Sequence, residues 1–538
     1  MPYRFKTPIF AALVVAARFT YLFAAGPEPP STDEQLRGFR VPPGFEMQLV
    51  ISDPDIGQPM NLNFDARGRL WLTHSIEYPF PAKGEGVEPD RGRFAGGGEN
   101  PPRDRLTVVE IGDTGRARSV THFAVGLNIP IGNTPLKDGR EALVYGIPSI
   151  FHAVDQDGDG QADSVTTLYT RFGNRDVHGN ASSFTRWIDG WVYGCHGFAN
   201  HSEVTDASGN VVKLHSGNTY RFREDGSHFQ QFTWGQVNPF GMTFDPWGNL
   251  YDADCHSRPV YQLLRGATYP SFGSQPPSLG FGPEMINHNH GSTGICGPAY
   301  YAARHFPAEY HDSLFICNPV TGRVHRDKLQ RFGSTYLCDT QPDFITTDDK
   351  WFRPVDALVG PDGALYVADF CNLVIGHYEA PLNHPDRDRT HGRVWRVVYR
   401  GDDGSSEPLP LPRDLTKLSV TELVEQLRHP NLRVRTLATN YLVDAHAETA
   451  PAIVRQAMQG GKPSGLDWLR AHGLWVLERL NQLDDSLIEQ LASDDAALVR
   501  VHLMRALAER SQWTPDQAAL VLAALRDESA FVQRGAAG

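Results

Sequence analysis

From Pro59 the chain alternates apolar and polar residues, turns at a glycine, and resumes with a large apolar residue followed by an aromatic one: PMNLNFDARGRLWLTH. Alternation with period two marks a half-buried strand, and the glycine supplies the positive φ that a tight turn between two strands requires. The same register returns without a gap in PFGMTFDPWGNLYDAD from Pro239 and in PVDALVGPDGALYVAD from Pro354. Gly68, Gly248 and Gly363 align, as do Leu70, Leu250 and Leu365, then Trp71, Tyr251 and Tyr366. A fourth copy, SSFTRWIDGWVYGCH, puts Gly190, Val192 and Tyr193 in matching slots, and shorter copies fall around Gly139 and Asp312. These anchors define six units of roughly 50 to 70 residues, the size of a four-stranded blade with its loops. The pattern predicts a six-bladed β-propeller over residues 40–400, with the late strand GRVWRVVYR completing a blade with the early FEMQLVIS. Radial closure protects strand edges that would otherwise pair with other chains.

Past a Pro- and Gly-containing linker at 401–415 the period changes. From Leu418 apolar residues recur at helical spacing, broken by a His-Pro-Asn turn. Val434-Arg435 returns as Leu469-Arg470, Val499-Arg500 and Val532-Gln533, about 33 residues apart, which predicts stacked helix pairs of the HEAT class. The fold class is therefore mainly β and then all-α: a propeller followed by a HEAT-like α-solenoid at 416–538. No acid, base and nucleophile cluster there, so the segment reads as a spacer or a docking surface for a protein partner, separable from the propeller. Residues 1–30 place Arg4 and Lys6 ahead of an apolar stretch interrupted by Arg18. They read as a signal peptide or N-terminal anchor, and hence as export to the periplasm or the membrane surface.

A net charge of -13 with no dense Lys/Arg run argues against nucleic-acid partners and favours small molecules, sugars or cations. The six cysteines are spread singly, without CxxC or CxxCH, so neither a zinc ribbon nor covalent haem is expected. One or two disulfides and buried free thiols both remain open. The Cys195-His196 and Cys255-His256 pairs read as packing and polar contacts rather than zinc ligands.

Equivalent slots of a propeller form rings around its channel. One such slot holds His74, His196, Asp254 and Asp369, and another near the inner-strand starts holds Asn61, His178, Asn238 and Asp356. Imidazole titrates where a general base must work, so His178 is the first choice of base, with Asp254, His288 and His290 as further catalytic candidates; NHNHGSTG reads as a loop over the channel, or as a metal-binding or merely hydrogen-bonded loop. The motif DQDGDGQAD sets Asp155, Asp157, Asp159 and Asp163 at positions one, three, five and nine, with Gly160 at the sharp turn and the Gln161 carbonyl at seven. Hard oxygen donors at that spacing point to Ca2+, although Thr166 stands where an EF-hand carries its bidentate glutamate.

The run FTWGQVNPFGMTFDPWGNLYDADCHSRPVYQLLRGATYPSFGS, with WFRPVDALVGPDGALYVADF and THGRVWRVVYR, resembles the large membrane-bound dehydrogenase family of planctomycetes, which joins a signal peptide, a propeller, HEAT-like repeats and a c-type haem domain. More distantly the propeller is similar to soluble quinoprotein glucose and sorbosone dehydrogenases. That resemblance implies oxidation of a sugar or alcohol, with a PQQ-like quinone or a partner c-type cytochrome as acceptor. It matches His178 to the catalytic histidine and Asn238-Pro239 to part of an RNP cofactor tripeptide. Val237 replaces the arginine of that tripeptide, and Arg353, beside Asp356 in the last unit, stands in by analogy. Two other classes fit the same residues: a Ca2+-dependent lactone or ester hydrolase, and a non-catalytic glycan- or protein-binding scaffold.

Overall fold

In a computed structural model, residues 27–87, 100–257, 260–271, 280–286, 290–292, 294–376, 380–404, 409–460 and 464–538 are described. Residues 1–26 of the expected leader and His288 lie outside them. A short helix, α1 (Thr32–Gly38), precedes the sheets; Ser31 and Glu34 close its first turn as a capping box.

Six antiparallel sheets follow in chain order. The first contains Gln58–Phe64, Leu70–Ser75, Asp104–Ile111 and Ala117–Leu127, and the second Asn133–Leu136, Glu141–Gly146, Ser149–Val154 and Ser164–Tyr169. Ser182–Arg186, Val192–His196, Asn218–Phe222 and Phe229–Gly235 make the third, and Asn238–Phe244, Leu250–Cys255 and Val260–Leu263 the fourth. The fifth has Cys296–Tyr300, Ser313–Asn318, Arg323–Phe332 and Thr335–Thr340; the sixth joins Pro354–Val359, Leu365–Asp369 and Arg393–Tyr399 to the early strand Phe45–Ser52. The first strands of the six sheets touch one another in a closed ring, so the body is a propeller whose last blade is completed by the N-terminal strand.

The expected count of six four-stranded blades is corrected in the fourth sheet: five blades are complete and this one stops at three strands. Its chain continuation, Ala267–Tyr269, runs parallel to Phe229–Gly235 of the third sheet instead. Backbone bonds hold it there, the Gly266 amide donating to the Phe232 carbonyl at 2.8 Å, while the Tyr269 hydroxyl reaches back to the end of the fourth sheet, donating to the Gln262 carbonyl at 2.6 Å and accepting from the Leu264 amide at 2.8 Å.

The recurring turn has a physical logic. A buried aspartate caps the hairpin with its carboxylate and then accepts a hydrogen bond from the aromatic residue opening the next strand. Asp65 takes the amides of Arg67 and Arg69 and the Trp71 indole at 2.7 Å. Asp245 takes those of Trp247 and Asn249 and the Tyr251 hydroxyl at 2.9 Å. Asp189 and Asp362 do the same for Tyr193 and Tyr366, at 2.7 and 2.8 Å. Tryptophan or tyrosine recurs in this slot because the ring fills the core while its polar end satisfies a buried acid.

Eight helices follow: α2 (Val420–Gln426), α3 (Leu432–Ala445), α4 (Ala450–Met458), α5 (Leu466–Arg479), α6 (Asp485–Ala492), α7 (Ala497–Glu509), α8 (Pro515–Ala524) and α9 (Ala530–Ala537). Helices α3, α5, α7 and α9 form a contacting row, each packed on its predecessor α2, α4, α6 or α8. That row lies against the turn end of the propeller. Arg186 makes a bidentate pair with Asp444 of α3 at 2.7 Å, Arg221 meets Glu509 of α7 at 2.7 Å, and His502 bonds the Pro246 carbonyl at 2.9 Å. One apolar core runs from Trp187, Trp191 and Phe244 of the propeller through Leu423, Leu474 and Leu503 of the helices. The separable spacer expected from sequence is thus a second half of the same core. Among the described residues no helix is long and apolar enough to cross a membrane.

Candidate functional site

Helix α3 enters the turn end of the channel. Asn431, its N-cap, donates to the carbonyl of Gly360 at 2.8 Å, and Leu432, Arg433 and Thr436 line a cavity of about 60 Å³ with Asn61, Ser183, Met242, Pro298 and Asp356 from the inner strands. Burial drives the Arg433 guanidinium down to about 10, partly offset by Asp356.

Above that cavity the inner strands close a collar. Asp356 accepts from the Asn61 amide side chain at 3.0 Å and the Leu62 backbone at 2.8 Å; Asn61 in turn accepts from the Asn133 backbone at 2.9 Å. On the other side Ser183 accepts from the Gly241 amide at 2.9 Å. A Cβ on Gly241 would stand 2.5 Å from Gly297, so side chains are excluded where these two strands cross. Burial pushes the Asp356 carboxyl up to about 7 against the pull of its donors.

The opposite end is the mouth. Phe370 of the sixth sheet packs with Tyr78, Val177, Phe240 and Val355, so residues from several sheets converge there. His178 lies in the short 3-10 turn Val177–Gly179, whose N-cap is Asp176. The Asp176 carboxylate accepts from the His178 amide at 3.0 Å and contacts Nδ1 at 3.2 Å. The Tyr78 ring meets the imidazole edge-on at 5.1 Å and Phe370 at 5.4 Å. Asn238 bridges two loops, donating to the His178 carbonyl at 3.3 Å and accepting from the Phe198 amide at 3.0 Å. It therefore holds the segment that carries the imidazole.

The remaining sequence candidates fall in three places. His74, Asp254 and Asp369 share one slot and do the same job, each accepting from the backbone just before an inner strand, at Gly57 (3.0 Å), Asn238 (2.7 Å) and Arg353 (2.8 Å). Asp254 also holds Val237 and Ser257 and is fully buried. Burial lifts its carboxyl to about 7, and burial with His122 and Arg105 drives His74 down to about 3. His196 differs, its ring bridging the Ser216 carbonyl and Ser202 hydroxyl, both at 2.7 Å. The second proposed ring separates by register: Asn61 and Asp356 occupy the collar, whereas Asn238 shares its place before the proline with Gln58 and Arg353. The Arg353 guanidinium is held by the carbonyls of Asn372, Pro319 and Leu373 at 2.7, 2.7 and 2.8 Å, a stitch between fifth and sixth sheets.

His290 does not stand over the channel. It is buried on the fifth sheet, 3.1 Å from Asp327 and stacked at 4.2 Å on His325, which bonds Asp343 at 2.6 Å. The DQDGDGQAD loop joins the outer strands Ser149–Val154 and Ser164–Tyr169 at the helix-bearing end, remote from the mouth. Oxygens of Asp155, Asp157 and Asp159 lie within 4.8 Å of one another, and Asp163 accepts the Gln156 amide at 2.6 Å. That donor set suits a hard divalent cation. All six cysteines are free thiols.

Sequence reasoning missed Asp176 and Tyr78. Asp176 was legible as an acid two residues before His178, the spacing of an Asx turn; nothing in the sequence placed Tyr78, from another sheet, beside them.

No curated protein matches this chain. Among solved structures it is similar to a glucose dehydrogenase (16% identity over 65% of this chain and 98% of that one, TM-score 0.41). It is also similar to the PQQ domain of a pyranose dehydrogenase from Coprinopsis cinerea (13%, 67% and 97%, 0.38) and the soluble aldose sugar dehydrogenase of Escherichia coli (17%, 66% and 100%, 0.34). Residues 31–401 match the family model described as a domain of unknown function, DUF7133, over the whole propeller, and the chain belongs to that family.

Proposed function

We propose that the propeller oxidises a sugar or alcohol at its mouth, passing two electrons to a quinone or to a partner c-type cytochrome. The observation that carries this reading is the His178–Asp176 pair, set beside Tyr78 and Phe370 at the mouth of a channel whose other end is closed. With Nδ1 donating to Asp176, the imidazole's basic lone pair is on Nε2. A hydroxyl brought to Nε2, an atom that is buried in this structure, would lose its proton to it as hydride leaves the carbinol carbon, giving a carbonyl or, from a hemiacetal, a lactone. Aromatic walls suit the C–H face of a sugar. Asn238 and Asp176 are positioning residues in this scheme.

A PQQ-like quinone is an anion and needs a cation at its edge. Arg387 supplies one: it lies near Tyr78, and its buried Nε has no hydrogen-bond partner. Asn238, Tyr78 and Arg387 would hold the group, with Arg353 committed to carbonyls. Bound there, such a group would supply the hydride acceptor. We further read the paired helices as a HEAT-class stack, the DQDGDGQAD loop as a Ca2+ site, and the protein as exported.

Dye-linked oxidation of a panel of sugars and alcohols, with and without added quinone and calcium, tests the reading. His178→Ala should lower turnover about a hundredfold to ten-thousandfold while the fold is retained. A wild-type protein that binds no quinone and reduces no acceptor, yet hydrolyses a lactone or binds a glycan, would sink it and favour one of its two rivals.

A further inference from the structure

An insertion in the third sheet, between Val192–His196 and Asn218–Phe222, forms a separate two-stranded hairpin, His201–Thr205 with Val211–His215. Its burial alternates. Ser202, Val204 and Leu214 face inward, while His201, Glu203, Lys213 and His215 face solvent, as the period of two dictates. His201 and His215 are directly opposed across the ladder, and Glu203 is opposed to Lys213 one step along the same face. The two imidazoles stack at 4.2 Å with an interplanar angle of 17°, and their Nδ1 atoms are 2.8 Å apart. Glu203 pairs with the Lys213 ammonium at 2.9 Å.

We propose that this outer face is a binding site for a divalent transition cation of the zinc class, with His201 and His215 as its protein ligands. Tetrahedral zinc–imidazole bonds of about 2.0–2.1 Å put two nitrogens about 3.3–3.4 Å apart, so the 2.8 Å pair needs to open by only about half an ångström. A proton lies in the plane of its ring, so two nearly parallel rings cannot share one along a straight hydrogen bond. Rotation about the broad χ2 torsion turns both lone pairs outward toward one point. Exposure leaves the remaining coordination positions to water. Nitrogen donors select against Ca2+, which separates this site from the carboxylate loop of the second sheet. The base of the hairpin is tied to the mouth: Asn200 exchanges two hydrogen bonds with Asp176, at 2.9 and 2.8 Å. The proposal stands independently of the activity proposed above.

The test is competition for Zn2+ against a chromophoric chelator, using the full chain, with Co2+ absorption as a second readout. Wild type should take up one equivalent that Ca2+ does not displace. His215→Asn and His201→Asn should each lose it, while Asp157→Asn in the carboxylate loop should keep it. Because these side chains point to solvent, the variants should melt as wild type does in chelator. No zinc equivalent in wild type, or an equivalent that survives both histidine substitutions, would overturn the assignment.

Discussion

His74 and Asp254 occupy one slot of the repeat and do the same work with opposite titration. A histidine whose folded pKa falls to about 3 takes up its proton only in the unfolded chain near pH 6.5, so its contribution is complete above 6.5 and is lost as the pH falls toward 3. Asp254 and Asp356, lifted to about 7, contribute stability below the usual carboxylate range and lose it as the pH rises through 7. His74→Gln, which keeps an acceptor for the Gly57 amide, should flatten the pH dependence of unfolding by about 1.4 kcal/mol per pH unit between pH 4 and 6. Denaturant titrations across that range measure it, and an unchanged slope would mean that His74 is protonated in the fold. At this scale the sequence was partly readable. A slot repeating every blade announced itself by alignment. Whether it faced a ligand or a backbone amide did not, because a polar side chain serves both and only register decides. His178 could be picked out as an imidazole before a strand, whereas its neighbours Asp176 and Tyr78 depended on contacts the spacing does not encode.

At the scale of elements the hairpin turn was the most legible feature, since aspartate, glycine and an aromatic residue at fixed offsets each have a local reason to be there. The three-stranded fourth sheet was hidden. Its continuation carries an ordinary strand pattern, and its partner is set by a parallel backbone pairing with Phe229–Gly235, beyond the reach of periodicity. The loop between Ser149–Val154 and Ser164–Tyr169 is a local prediction of another kind. Its carboxylates repel one another unless a cation joins them, so Ca2+ should raise the melting temperature and a chelator should reverse the gain. Asp157→Asn should remove the calcium-dependent part alone, which calorimetry can resolve, and because the loop is far from His178 turnover should not change. Equal melting curves with calcium and with chelator would retire the site.

The whole molecule departs most from its sequence reading. Two periods suggested two independent domains, yet the polar faces of the helices carry the arginine and carboxylate partners of the propeller's turn end. Asp444 is buried, and that burial is the largest single influence on its carboxyl, yet the charge and hydrogen bonds of Arg186, with the charge of Arg479 and the Lys137 amide, together hold it below the usual range. Asp444→Ala would leave Arg186 inside with Glu224 alone, at a cost of about 3–5 kcal/mol, visible as a large drop in the denaturation midpoint. Ending the chain before residue 416 should give a propeller that aggregates, because Trp187, Trp191 and Phe244 would be bared; a soluble fragment with unchanged melting would refute the shared core.

Helix α3 in the channel has a kinetic consequence. A well with one opening has no back door: whatever reacts beside His178 at its mouth must leave by the route it entered. Reactant and product then compete for a single doorway, and a bulky electron acceptor must wait for the product to depart. Under the proposed oxidation this predicts parallel double-reciprocal plots and product inhibition that is competitive toward the acceptor. Intersecting plots, the mark of two reactants held at once, would require a second entrance.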